Sequence, residues 1–159
     1  MQPIRVAIAD DHVLVRTGFV AVLRELPSIE VVGQAANGEL AIALAEQAQP
    51  DIFLMDLRMP VMDGIEATRR LQAWPQIRVI ILTGSSDEEH FHQAIEAGAA
   101  GYLLKDAGML ELEQVLRMAM QGVFYLGPTM AAYASHPALQ QRQFAVAPAR
   151  SMERSPAIE

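Results

Sequence analysis

The chain is predicted to be an α/β protein with a doubly wound, parallel sheet of five strands. Short apolar segments alternate with longer amphipathic segments along roughly its first 120 residues. Such alternation is typical of βαβ units, whose parallel strands are covered by helices on both faces. The 159 residues are 52% hydrophobic and 19% charged, so the chain can bury a sizeable core.

The strands are predicted from short runs of apolar and β-branched residues. In order, they are residues 4–9, 29–35, 51–55, 77–82 and 100–104. The intervening segments have apolar residues at helical spacing. The helices are predicted at residues 12–26, between Asn37 and Pro50, and at 63–73, 86–97 and 110–121.

Helix boundaries are predicted from capping residues. Asn37 can cap the second helix, and Asp63 begins the third. Ser86 and Glu89 have the spacing of a capping box, and Gly98 ends that fourth helix. We therefore expect one domain over residues 1–122.

The rest of the chain, residues 123–159, has a different composition. Residues 130–135 could form a short helix, whereas the part from His136 onward has prolines, glutamines and no sustained apolar period. We expect a linker or tail that is partly helical or disordered.

Composition also limits the function. The net charge of −7 argues against this segment binding nucleic acid through its own electrostatic field. No apolar run is long enough to span a bilayer, and no leader pattern opens the chain. Without cysteine, disulfides and thiolate chemistry are excluded. A cytoplasmic protein is the simplest expectation.

Polar residues follow four of the predicted strands. They are Asp10, Asp11, Asp56, Thr83 and Lys105. Because parallel strands place their carboxyl ends at one edge of the sheet, we expect these side chains to meet in a crevice there. Lys105 is the only lysine in the chain, which suggests a specific need for a compact ammonium group.

Three carboxylates in one crevice would repel one another and favour a cation. With oxygen ligands, Mg²⁺ is the expected ion, especially where phosphate takes part. The types of residue suit Asp56 as nucleophile, Thr83 as hydroxyl donor and Lys105 as the cation that stabilises phosphoryl oxygens.

Four sequence motifs resemble the receiver domain of two-component response regulators, of the NarL/FixJ (LuxR-type) class. They are Ala9-Asp10-Asp11-His12, Met55-Asp56-Leu57-Arg58-Met59-Pro60 with Met62-Asp63-Gly64, Leu82-Thr83-Gly84, and Gly101-Tyr102-Leu103-Leu104-Lys105-Asp106. The resemblance covers residues 4–122 and implies a flavodoxin-like, CheY-like sheet with strand order 2-1-3-4-5.

The resemblance also implies roles for individual residues. Asp56 would be the phosphoacceptor. Asp11 and Asp56 would bind Mg²⁺ directly, together with the backbone carbonyl of Arg58, and Asp10 would act through water or a weaker contact.

On the phosphoryl side, Thr83 and the backbone around Gly84 would contact phosphoryl oxygens, and Lys105 would pair with them. Tyr102 would turn inward when Thr83 moves and so change the surface formed by the fourth helix, the fifth strand and the fifth helix. A plain aromatic residue in the core is the alternative interpretation for Tyr102.

By this resemblance, Asp56 accepts phosphate from a histidine kinase and the change controls transcription. The alternative is a stand-alone receiver, acting by protein contact or in a phosphorelay. We expect self-catalysed phosphotransfer and autodephosphorylation, not enzymatic turnover of another substrate. The expected partners are the kinase and, after phosphorylation, a second copy of the chain, bound either through the first and fifth helices or through the face of the fourth and fifth helices. DNA would be bound only through an output domain absent from this chain.

Two features of the motifs leave questions open. Many receivers have proline after the lysine, whereas this chain has Asp106, and the isomer of the Lys105–Asp106 peptide bond is undetermined. Arg58 could touch the phosphoryl group and slow its hydrolysis, or point into solvent.

Overall fold

A five-stranded parallel sheet forms the centre of the molecule, in a computed structural model that describes residues 2–85 and 87–148. The strands are β1 (Ile4–Ala9), β2 (Ile29–Ala35), β3 (Ile52–Asp56), β4 (Arg78–Thr83) and β5 (Gly101–Leu104). Their order is β2-β1-β3-β4-β5, and every neighbouring pair is parallel. The predicted fold class and strand order are confirmed.

Five helices connect the strands and cover both faces of the sheet. They are α1 (Val13–Arg24), α2 (Gly38–Ala48), α3 (Gly64–Leu71), α4 (Glu88–Ala97) and α5 (Met109–Met120). Each lies within about two residues of its predicted bounds. No helix in the described residues is long and apolar enough to cross a membrane.

Side-chain caps define the beginnings of three helices. Oδ1 of Asn37 accepts a hydrogen bond from the amide of Leu40 at 2.8 Å, and Asp63 accepts one from Glu66 at 2.9 Å. For α4, Ser86 lies outside the described residues, and Asp87 caps the helix instead. An aspartate at this position satisfies amide groups that have no partner within the helix.

Successive residues of each strand point to opposite faces of the sheet and build two separate cores. On β4, Val79 and Ile81 belong to the core beneath α2, α3 and α4, whereas Ile80 and Leu82 belong to the core beneath α1 and α5. Strands β1, β3, β4 and β5 are buried on both faces for most of their length, which explains their continuous apolar runs, whereas the edge strand β2 is partly exposed and contains Glu30 and Gln34.

The described chain after α5 folds back over β5 and α4, on the face of the sheet that α2, α3 and α4 cover. It contains β6 (Phe124–Leu126), two short 3₁₀ helices (Pro128–Tyr133 and Pro137–Leu139) and β7 (Phe144–Val146), which pairs in parallel with β6. The short helix expected at 130–135 therefore begins earlier, at Pro128, because proline suits the first position of a helix. The domain boundary at residue 122 stays a prediction.

Candidate functional site

The carboxyl edge of the sheet brings the predicted polar residues together. Ala9 of β1 pairs with Met55 of β3, and Asp56 pairs in turn with Leu82 of β4. The residues that follow these strands therefore leave the sheet at nearly the same level. The amide of Lys105 donates a hydrogen bond to the carbonyl of Thr83 at 2.7 Å, which fixes the end of β5 beside β4.

Lys105 forms two ion pairs at this edge. Its Nζ lies 3.0 Å from Oδ2 of Asp10 and 3.0 Å from Oδ1 of Asp56. Asp10 is fully buried and Asp56 is 4% exposed, so neither carboxylate is well hydrated. A flexible ammonium on a long stem can reach both carboxylates, whereas a guanidinium would favour one bidentate partner.

An unusual pKa marks Asp56 within this cluster. Burial raises its pKa from 3.8 to about 6. The hydrogen bond from Lys105 lowers it in part, and the charges of Asp10 and Asp11 raise it further. Burial lowers the pKa of Lys105. The hydrogen bonds that Lys105 donates to Asp56 and Asp10 have a larger opposite effect, so the pKa of Lys105 is raised overall. One ammonium thus balances the nearby carboxylates incompletely.

The same cluster has ligand atoms placed for a cation. Asp10, Asp11, His12 and Asp56 each offer one atom, and these atoms all lie within 4.8 Å of one another. The three carboxylates fit Mg²⁺, which prefers oxygen ligands, and their incomplete neutralisation favours a cation there.

His12 was not among the predicted site residues. Its Nδ1 lies 3.2 Å from Oδ1 of Asp11 and 3.4 Å from Oδ1 of Asp10. The signal in the sequence was its position directly after the two aspartates. The side chain is 67% exposed, so it lies at the rim of the cluster and not inside it.

An open cavity of about 240 Å³ lies over Asp56. Its lining includes His12, Asp56, Arg58, Thr83, Gly84 and Lys105. The hydroxyl of Thr83 donates to the carbonyl oxygen of Ser85 at 3.1 Å, within the loop that lines the cavity. A Cβ at Gly84 would meet no atom within 4 Å, so the backbone there borders open space.

The loop after Asp56 is held close to the site by two glycines. The amide of Gly64 donates to the carbonyl of Leu57 at 2.9 Å, and the amide of Gly38 donates to that of Met62 at 3.0 Å. A Cβ at Gly64 would overlap the carbonyl oxygen of Asp56. Val61, between these contacts, has φ of 70°, a left-handed conformation that is costly for a β-branched residue.

Tyr102 lies behind Thr83, fully buried. Its ring packs edge-on against Phe91 of α4, with ring centroids 5.1 Å apart. Burial raises its pKa to about 12, with Tyr133 adding to the shift and Thr83 opposing it. The hydroxyl nevertheless makes no hydrogen bond of standard geometry to the described residues. The switching role of Tyr102 stays a prediction.

The structure shows the geometry of the Lys105–Asp106 peptide bond and the position of Arg58. The Lys105–Asp106 peptide bond is trans, and Asp106 is exposed, so an aspartate is accommodated there without a special backbone geometry. Arg58 is exposed and lines the cavity beside Asp56. Arg58 therefore lies at the border of the cavity into which Asp56 opens, and its contact with a phosphoryl group stays a prediction.

The comparisons with known proteins agree with this geometry. The family model of the response regulator receiver domain matches residues 6–117. The chain is 39% identical over 141 residues to the response regulator GacA of Pseudomonas aeruginosa, covering 88% of this chain and 66% of that protein. It is 42% identical over 120 residues to the transcriptional regulatory protein LiaR of Bacillus subtilis, covering 75% and 57%.

Solved structures give the same result. A two-component response regulator of the LuxR family from Aurantimonas is 34% identical with a TM-score of 0.77, covering 82% of this chain and 94% of that one. The receiver domain of the response regulator NarL from Mycobacterium tuberculosis is 36% identical with a TM-score of 0.71, covering 75% and 98%. The chain spans about three fifths of the length of the first curated relatives. It belongs to the receiver domain family of two-component response regulators.

Proposed function

We propose that Asp56 accepts a phosphoryl group from the phosphohistidine of a histidine kinase. The observation that carries this proposal is the placement of Asp56. Its carboxylate is buried but opens into a cavity, and the only lysine of the chain lies 3.0 Å away. A carboxylate nucleophile needs access to the donor phosphorus and a cation beside the transferred oxygens, and this site supplies both.

In the proposed transfer, a carboxylate oxygen of Asp56 forms a bond to phosphorus as the bond from phosphorus to the donor nitrogen breaks. The leaving imidazole keeps the bonding electron pair. Lys105, which now pairs with Asp56 and Asp10, would turn its ammonium group to a phosphoryl oxygen. Thr83 and the backbone of Gly84 would donate to the other oxygens, since both line the same cavity.

A magnesium ion would neutralise negative charge on the carboxylates and the phosphoryl oxygens when bound. We propose Asp11, Asp56 and the backbone carbonyl of Arg58 as its direct ligands, with Asp10 acting through water. The full burial of Asp10 and its ion pair with Lys105 support this secondary position.

The signal would leave the site through Thr83 and Tyr102. Once the hydroxyl of Thr83 turns from Ser85 to a phosphoryl oxygen, the space beside Tyr102 changes. Tyr102 contacts Phe91, so its movement would alter the packing of α4. A local charge event would in this way bias a surface that a partner recognises.

Control of transcription is the proposed output, through a DNA-binding domain outside the present sequence. The names of the relatives LiaR and DegU, both called transcriptional regulatory proteins, support it. A stand-alone or phosphorelay receiver is the alternative. Translating the gene beyond Glu159 discriminates between them, because only the first requires an output domain.

Dimerisation after phosphorylation is proposed to use α1 and α5. Leu14 is 86% exposed and Leu110 is 79% exposed, and an apolar groove of about 360 Å³ runs between the two helices. Lys105 also lines this groove, so the phosphoacceptor site and the dimer face share a residue. Sedimentation with beryllofluoride and Mg²⁺ should show a dimer that Leu14→Glu removes. Equal sedimentation with and without beryllofluoride would contradict it.

Intact mass spectrometry tests the central proposal. With Mg²⁺ and acetyl phosphate, the mass should rise by one phosphoryl group, roughly 80 Da. Asp56→Asn should abolish the increase because an amide is a poor nucleophile. Asp63→Asn is a matched control, since asparagine caps a helix as well as aspartate does and Asp63 caps α3. Labelling that survives in Asp56→Asn would refute the assignment.

A further inference from the structure

Residues 124–146 form a strap that lies across α4 and β5. The clearest contact is between aromatic rings. Tyr133 of the strap stacks on Phe91 of α4, with centroids 4.4 Å apart and planes inclined by 13°. Phe124 and His136 approach the same ring edge-on, at 6.0 and 5.2 Å. Phe91 therefore has strap residues around it and Tyr102 beneath it.

The strap is part of the core and not a loose extension. Phe124, Leu126, Met130 and Leu139 are at most 1% exposed, and they belong to the same apolar cluster as Tyr102. Four separate points along the strap are thus anchored. The strap also holds itself together, because the amide of Phe124 donates to the carbonyl of Gln143 at 2.9 Å and β6 pairs with β7.

Polar contacts hold the strap from both sides. Nδ1 of His136 accepts a hydrogen bond from the amide of Ala138 at 3.0 Å, and its Nε2 faces Glu88 of α4 at 3.6 Å. On the α5 side, the hydroxyl of Thr129 donates to Glu111 at 2.7 Å. The strap consequently bridges the two helices that flank β5.

This position has a consequence for signalling. The strap covers Phe91 of α4 and the adjoining part of β5, whereas Glu88, His92 and Glu96 of α4 stay exposed. A partner that docks around Phe91 would have to displace the strap first. The α1–α5 groove is, by contrast, open at its edges, where Leu14 is 86% exposed and Met109 is 45% exposed.

We propose that the strap is an intramolecular cover of α4 that loosens when Asp56 is phosphorylated. The physical link is Phe91, which contacts Tyr102 on one side and Tyr133 on the other. A displacement of Tyr102 would change the packing of the Phe91 ring. This change would weaken the stacking of Tyr133 on Phe91, which attaches the strap to α4. This inference rests on the proposed phosphoacceptor function.

Hydrogen–deuterium exchange on the full chain tests the coupling, with intact mass measured in parallel. In Mg²⁺ and acetyl phosphate, amides in 88–97 and 124–146 should exchange at least about threefold faster, while those in 4–9 stay unchanged. A mass increase without faster exchange in the strap would overturn the cover and leave the phosphoacceptor function standing. No mass increase would refute that function, and the coupling with it.

Variants at Tyr133 test, without a phosphodonor, whether the stacking of Tyr133 on Phe91 attaches the strap to α4. Tyr133→Ala removes the stacked ring and should speed exchange in 88–97 and 124–146. Tyr133→Phe keeps the ring and should exchange as the wild type does. Wild-type exchange in Tyr133→Ala would overturn the proposal, and so would a uniform increase that includes 4–9, since the effect would then be global unfolding.

Discussion

The buried carboxylate of Asp56 is expected to reduce the stability of the folded protein at neutral pH. Its pKa is raised from 3.8 to about 6, chiefly by burial, so the folded state holds this proton more tightly than the unfolded chain does. As pH rises from about 4 to 6, the unfolded chain ionises first and the free energy of unfolding falls. By about pH 7 both states are almost fully ionised and the loss is nearly complete.

The shift corresponds to about 3 kcal/mol at most, from 1.36 kcal/mol for each pH unit. Asp56→Asn removes this penalty, but it also removes the 3.0 Å ion pair with Lys105, which keeps its pairing with Asp10. We therefore expect Asp56→Asn to stabilise the protein by about 1–3 kcal/mol at pH 8. The gain should shrink steadily towards pH 4.

Urea unfolding followed by the fluorescence of Trp74, with a chelator present to exclude Mg²⁺, measures this difference between pH 4 and 8. Glu46→Gln, which removes an exposed carboxylate on α2, is the control and should change stability by less than about 0.5 kcal/mol. A less stable Asp56→Asn at pH 8, or a difference that does not change with pH, would refute the reasoning.

Three further predictions concern the cation and the loop after Asp56. Mg²⁺ should raise the free energy of unfolding in thermal scans, by about 2.7 kcal/mol at a concentration one hundred times the Kd, and Asp11→Asn should remove most of this gain. Gly64→Ala should lower the free energy of unfolding in urea by about 2 kcal/mol or more, because its Cβ would overlap a backbone carbonyl. Gly18→Ala in α1 is the control: its Cβ would meet open space, so it should raise the free energy of unfolding by about 0.5–1 kcal/mol. Val61→Asn should stabilise by about 0.5–1 kcal/mol in the same assay, because asparagine tolerates a positive φ; an unchanged or lower midpoint would contradict this.

The order of the elements and the clustering of the polar residues at one edge of the sheet could be predicted from the sequence. Strands buried on both faces need continuous apolar runs, and helices need spaced apolar residues with caps such as Asn37 and Asp63, so these signals are local. The site was predictable for a topological reason. Parallel strands all end at one edge, so polar residues after four strands have to be neighbours.

Other features depended on contacts between distant residues. Lys105 pairs with both Asp10 and Asp56, and the spacing of these residues in the sequence does not predict the two distances. The placement of His12 near the three carboxylates was missed because imidazole is an uncommon ligand for Mg²⁺.

The strap shows most clearly what only the tertiary structure decided. Its sequence has prolines, glutamines and apolar residues without a regular period, which by themselves are typical of a linker. Phe124, Leu126, Met130 and Leu139 gain stability only where α4 and β5 supply a surface to pack against. Local sequence preferences determined the helices and strands of this protein, whereas burial against residues distant in sequence determined that the strap packs on α4 and β5.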